Sequence, residues 1–231
     1  MTSVTANLEQ VWSRIHRAAQ RVGRDPAQIT LVAVAKRHPA SAIRALAAAG
    51  HVDFAESYAQ EADTKLRTLD DLGHLRWHFI GRLQRNKTAM VAQRFDWVHG
   101  IDRAVLAERL SAQRPSDRGP LQVCLQVDFT GGQEGRSGVA PQSLPALAEQ
   151  VASLPQLHLR GLMTLPPPES EFERQREHFR HLEELRQELN HRGFGLDVLS
   201  AGMSGDLEAA VAEGATHVRI GTALFGARPA S

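Results

Sequence analysis

Apolar positions along the chain follow two spacings, and the two alternate. Near the N-terminus Leu8, Val11, Trp12, Ile15, Ala19 and Val22 fall on one face at a 3.6-residue period, with Gly23 just past the end, which predicts an amphipathic helix. Beyond it, short continuous apolar runs predict strands at Ile29–Ala35, Val52–Glu56, Arg76–Ile80, Trp97–Ile101, Leu121–Asp128, Leu157–Leu165, Leu196–Leu199 and His217–Ile220. Helical patterns fill the intervals, among them Pro39–Ala49, Tyr58–Leu69, Arg103–Ala112, Pro141–Leu154 and Glu171–His191. In the last of these, Phe172, Phe179, Leu182, Leu185 and Leu189 mark the expected core-facing stripe.

Strands without polar alternation are buried on both faces, so the pattern argues for a parallel sheet covered by helices. Eight repeats is the number that closes a barrel. The predicted fold is α/β, a (β/α)8 TIM barrel with an extra N-terminal helix, spanning residues 1–231 as one domain. An open dinucleotide-binding sheet would need a G-x-G-x-x-G turn after its first strand. That turn here is Lys36-Arg37-His38-Pro39. Neither the glycine-rich stretch at 131–135 nor Pro166-Pro167-Pro168 is long enough to be a linker.

Charge excludes several partners. Lys+Arg 27 against Asp+Glu 26 gives a formal charge of +1, which supplies no field for nucleic acid or an anionic membrane surface. The single cysteine, Cys124, lies in an apolar run and reads as a buried core thiol in a reducing compartment. No apolar stretch resembles a signal peptide or a membrane span, so a cytoplasmic location is expected.

The candidate chemistry lies at the C-terminal ends of the strands, where barrels of this type place their functional groups. Lys36 ends the first strand, where an apolar core meets a loop. Desolvation there favours the neutral amine, a nucleophile toward an aldehyde; the bland alternative is a lysine that snorkels into water. After the seventh strand, Gly202-Met203-Ser204 is expected to open a helix with Asp206 in its first turn, and Gly221-Thr222 to open another after the eighth. Loops after these two strands commonly hold a phosphate. Taken singly, Ser204 could be only an N-cap and Gly221 only a tight turn. An amine on one side and a phosphate site on the other suit pyridoxal 5′-phosphate on Lys36, or a sugar phosphate bound as in an aldolase.

Several stretches in matching order decide between these. Leu31-Val-Ala-Val-Ala-Lys36, Trp77-His-Phe-Ile-Gly-Arg-Leu-Gln84 with Asn86-Lys87, Leu159-Arg-Gly-Leu-Met-Thr164, Gly202-Met-Ser204 and Val218-Arg-Ile-Gly-Thr-Ala-Leu-Phe-Gly226 resemble the YggS/PROSC-type pyridoxal phosphate homeostasis proteins, along nearly the whole chain. That family is a single-domain barrel similar to the N-terminal barrel of alanine racemase. The resemblance implies a Schiff base on Lys36 and phosphate binding by Ser204, Gly221 and Thr222, with Ser57, His78, Met203 and Arg219 completing the cofactor contacts. Arg219 matches the arginine that faces the pyridine nitrogen in racemase-like barrels; its alternatives are an ion pair inside the barrel or a phosphate contact. A guanidinium cannot accept a proton, so such an arginine keeps the ring nitrogen unprotonated. His78 could stack near the ring or fill the barrel layer.

Two departures from the family pattern stand out. Ser57 replaces an Asn in Ala55-Glu56-Ser57-Tyr58, and Arg136 replaces a lysine in Gly135-Arg136-Ser137-Gly138. Racemases of this type use a second base, a tyrosine from an additional β domain. This chain has one tyrosine, Tyr58, expected to serve packing or a hydrogen bond, and with the eighth strand unit running close to Ser231 no such additional domain is expected. His51, His74, His99, His158 and His217 lack metal-ligand spacing and read as structural or solvated. The expectation is a monomeric carrier that holds the cofactor and delivers it to apo enzymes; a weak amino-acid racemase is the alternative.

Overall fold

The structure, a computed structural model, describes residues 4–132 and 137–226. The strands are β1 (Thr30–Val34), β2 (Asp53–Glu56), β3 (Arg76–Phe79), β4 (Trp97–Ile101), β5 (Leu121–Val127), β6 (Leu157–Thr164), β7 (Val198–Ser200) and β8 (His217–Ile220). All pair in parallel with their sequence neighbours, and β8 closes onto β1 through Thr30↔His217 to Ala33↔Ile220. The predicted barrel is therefore present, with five of the eight strands trimmed by a residue at one or both ends and β7 starting two residues later and running to Ser200.

Around it lie α1 (Val4–Arg21), α2 (Ala40–Ala48), α3 (Ala59–Thr68), α4 (Thr88–Arg94), α5 (Ala104–Gln113), α6 (Leu144–Ala152), α7 (Phe172–His191), α8 (Leu207–Ala212) and α9 (Thr222–Phe225). None of these helices is long and apolar enough to cross a membrane. Periodicity found the helix stripes but overran them at the ends. Phe172 and Val22 are exposed, because the first turn of α7 and the residue after α1 project past the barrel.

The apolar surface divides into two. One continuous cluster, from Leu8 to Leu224, fills the space between strands and helices, with Phe54, Phe79, Phe95 and Phe179 among its fully buried side chains. Burying each such ring stabilises the fold by about 1.5–3 kcal/mol. Inside the barrel the apolar groups are few: Trp97, Cys124, Met163 and Val198 form one patch, and Val32, Val34 and Ala55 another. Between them stand buried polar side chains, including Asp53, His78, His99, Ser200, His217 and Arg219. Cys124 is buried as expected, and burial pushes its thiol up to about 12.

The extra helix α1 packs on α8 and α9. From it Arg14 reaches Glu208 at 2.9 Å and donates to the Ser204 carbonyl at 3.1 Å, while Asn7 donates to the Leu224 carbonyl at 2.8 Å. The N-terminal segment thus braces the loops that follow β7 and β8.

Candidate functional site

β1 is an apolar strand that ends at Val34, and Lys36 stands half-buried two residues beyond, at the C-terminal mouth. The next residue, Arg37, has φ 64° and is the only non-glycine with positive φ among the described residues. A left-handed residue that is not glycine is held by its surroundings at a cost of about 1–3 kcal/mol. Here the Arg37 N–H donates to Glu61 at 2.6 Å, and its guanidinium lies 5.9 Å from the Tyr58 ring centre. The turn closes with the His38 N–H on the Ala35 carbonyl at 3.0 Å, and the His38 ring stacks on Phe225 at 4.8 Å.

A second lysine lies beside this turn. Lys65 of α3 donates to the Ala35 carbonyl at 2.7 Å, to Glu56 at 2.7 Å and to Glu61 at 2.6 Å. Glu56 is fully buried, and its Oε2 has no hydrogen-bond partner. Burial raises its carboxyl to about 7, outweighing the Lys65 ammonium. Sequence reading did not single out this cluster; the signal was a glutamate ending a buried strand nine residues before a lysine on the following helix.

A cavity of about 260 Å³ opens at the same mouth. Its wall contains Lys36, Ser57, Met203, Ser204, Arg219, Gly221 and Thr222, together with Val34, His38, Ile80, Leu165 and Gly205. Seven of the eight candidate residues from the sequence thus converge on one hollow. His78 does not. It lies in the barrel interior, stacked on Trp97 at 5.6 Å and hydrogen-bonded to His99 and Asp53, which replaces the expectation of a ring contact with its barrel-filling alternative. Arg136 lies outside the described residues. A further hollow of about 570 Å³ shares Lys36, Ser57, Ile80 and Leu165 with the first, so the mouth is open beside the lysine.

Local geometry explains how the wall is held. At Gly81 a Cβ would meet the Ser57 carbonyl oxygen at 2.0 Å, so only glycine lets the chain after β3 pack against Ser57. Gly202 has φ +90°, and a Cβ there would strike Ala210 at 2.7 Å. The loop after it differs from the sequence expectation. α8 begins only at Leu207, and Asp206 precedes it, accepting from the Met203 N–H at 2.5 Å. Ser204 therefore stands in a turn and not at a helix start. α9 is a single turn, so hydroxyls and loop N–H groups carry more of any anion binding than helix dipoles do.

Arg219 is buried and makes no ion pair among the described residues: Nη1 donates to Ser200 Oγ at 2.7 Å and Nη2 to the Thr164 carbonyl at 2.9 Å. Burial lowers this guanidinium to about 10. A cation on the cavity wall, satisfied by neutral oxygens, retains its attraction for an electron-rich partner. This donor set fits pyridoxal phosphate: an amine at the mouth, a buried charged donor on the cavity wall, and two hydroxyls beside glycine-rich backbone.

Residues 6–229 match the family described as "Alanine racemase, N-terminal domain". A pyridoxal phosphate homeostasis protein of Pseudomonas aeruginosa is 54% identical over 228 residues, which is 99% of this chain and 97% of that one. One of Escherichia coli K12 is 49% identical over 99% of this chain and 98% of that one. Among solved structures, PipY of Synechococcus elongatus with PLP bound has a TM-score of 0.81 at 38% identity, covering 92% of this chain and 99% of that one. Alanine racemase of Corynebacterium glutamicum, at 19% identity, a TM-score of 0.68 and coverage of 98% of this chain and 61% of that one, shares the barrel alone. The chain belongs to the alanine racemase N-terminal domain family, within its branch of pyridoxal phosphate homeostasis proteins.

Proposed function

We propose that this protein holds pyridoxal 5′-phosphate as a Schiff base on Lys36 and serves cofactor homeostasis in the cytoplasm, storing the cofactor and delivering it to apo enzymes without strong catalysis of its own. The observation that carries this reading is the single cavity that Lys36, Arg219, Ser204, Gly221 and Thr222 share. Lys36 would hold the cofactor through its amine, and the bound group would supply an electrophilic aldehyde carbon at the cavity mouth. Ser204 and Thr222 hold the phosphate by their hydroxyls. Arg219, a pure donor on the cavity wall, would offer N–H groups to the ring nitrogen and no base to take a proton from it, which would leave the ring a weak electron sink.

The same wall argues against efficient racemisation. A two-base reaction needs a second base opposite Lys36, and Tyr58 is half exposed under Arg37 instead. The open hollow beside Lys36 gives an incoming amine a path to exchange the cofactor away.

The test is an absorbance spectrum of the purified protein before and after borohydride reduction, with Lys36→Ala alongside. A yellow protein whose cofactor is trapped on Lys36, and a variant in which trapping is lost, is the expected result; a wild type that stays colourless with added pyridoxal phosphate overturns the reading. Racemisation of any amino acid with kcat of about 1 s⁻¹ or more would move the protein to the enzymes.

A further inference from the structure

Arg219 is the inner end of a line of buried polar side chains that crosses the barrel. Its Nη1 lies 2.7 Å from Ser200 Oγ, and Ser200 Oγ lies 2.6 Å from His99 Nδ1. His99 Nε2 is 2.9 Å from His78 Nδ1, and His78 Nε2 is 3.1 Å from Asp53 Oδ1. The other Asp53 oxygen accepts from Arg76 at 2.6 Å, at the N-terminal end of β3. His78, His99 and Ser200 are fully buried. The sequence reading placed His99 among the structural or solvated histidines, and the proposed function uses none of these four side chains.

Donor and acceptor chemistry fixes the direction of every link. A guanidinium only donates, so Ser200 Oγ accepts from Arg219. The Ser200 proton then goes to His99 Nδ1, the other partner within reach. That makes His99 the Nε2–H form, which donates to His78 Nδ1. His78 in turn carries its proton on Nε2 and donates to the Asp53 carboxylate. The reverse order fails at both ends. It would leave the Ser200 hydroxyl proton with no acceptor in the core, a cost of about 1–3 kcal/mol. It would also point an unprotonated His78 nitrogen at a carboxylate, unless His78 became a second buried cation beside His99, His217 and Trp97.

We propose that Ser200, His99, His78 and Asp53 are positioning residues forming a one-directional hydrogen-bond relay, which fixes the orientation of Arg219 in the cofactor pocket and links it to the opposite face of the barrel. The relay joins a buried cation to a buried carboxylate through three neutral groups, each polarised by the one before it. Asp53 and Arg76 also line a hollow of about 660 Å³ between α1 and the N-terminal ends of β1 and β2, so the far end of the relay is reachable from outside. The consequence for the cofactor rests on the proposed function; the relay itself does not.

The test is long-range proton–nitrogen NMR of the full chain with labelled histidine, at neutral pH and without cofactor. His78 and His99 are expected as neutral Nε2–H forms. An Nδ1–H form of either ring, or a doubly protonated His78, overturns the relay. In Ser200→Ala the His78 ring is expected to change its tautomer balance although the two residues do not touch, and Ser200→Thr is expected to restore it. A His78 spectrum unmoved by Ser200→Ala reduces these residues to separate packing contacts. Addition of pyridoxal phosphate then separates the two readings: a protein that stays colourless fails the cofactor assignment while the tautomer result stands.

Discussion

The two sides of the β-barrel are built on opposite rules. Outside the strands a continuous apolar shell packs them against the helices. Inside, where barrels of this class usually layer branched apolar residues, the packing is interrupted by Asp53, His78, His99, Gln126, Ser200, His217 and Arg219. The shell stabilises by area removed from water and is indifferent to pH. The interior is held by hydrogen bonds that each require one protonation state. Stability and function therefore respond to different perturbations, and experiments can separate them.

Acid should strike the interior first. Burial lowers His217 to about 3, and burial holds His99 well below an ordinary histidine. Both rings stay neutral in the fold but take up protons in the unfolded chain below about pH 6.5. The unfolded state binds more protons, so stability falls as pH drops from about 6.5 toward 3, by up to about 5 kcal/mol for His217 alone. Denaturant midpoints measured across that range should fall steeply, and His217→Gln should flatten the slope. A wild-type midpoint independent of pH there would mean the interior is wet.

The shell gives the next largest effect. Phe179→Ala removes a fully buried ring from α7 and should cost about 3–5 kcal/mol in chemical denaturation. Because that ring lies outside the strands, the cofactor spectrum of the folded variant should match the wild type. An altered spectrum would show that shell and pocket are not separable.

Glu56 gives a smaller effect of opposite sign. Its carboxyl titrates at about 7 in the fold against an ordinary value of 4.5. The folded state holds the proton longer, so the stability it contributes is present below about pH 4.5 and lost as pH rises through 7, at most about 3 kcal/mol. Glu56→Gln should abolish that loss, seen as a higher midpoint relative to wild type at pH 8 than at pH 5. The smallest effect belongs to Arg14→Ala. Its half-exposed pair with Glu208 is worth about 0.5–1 kcal/mol, and losing the bond to the Ser204 carbonyl should weaken pyridoxal phosphate binding by about two- to threefold.

The chain by itself determined the barrel. Eight apolar runs of four to nine residues, each followed by a loop or helix, fix strand number and parallel order, because strands buried on both faces carry no polar alternation. It also determined the wall of the pocket: positions at strand ends converge in any closed barrel, so Lys36, Ser57, Ser204, Arg219 and Thr222 could be placed together from their order alone. What only the tertiary structure decided is what those ends touch. His99 and His78 lie 21 residues apart and His99 and Ser200 101 apart, so no spacing rule joins them. Strand stagger sets which inward-facing side chains share a layer, and that stagger is fixed by the packing of all eight strands at once. The same holds for Lys65, which reads as a surface residue of a polar helix until closure brings it under Ala35 and against Glu56. Contacts made through closure are physical consequences of the whole sheet, and no local stretch of sequence contains them.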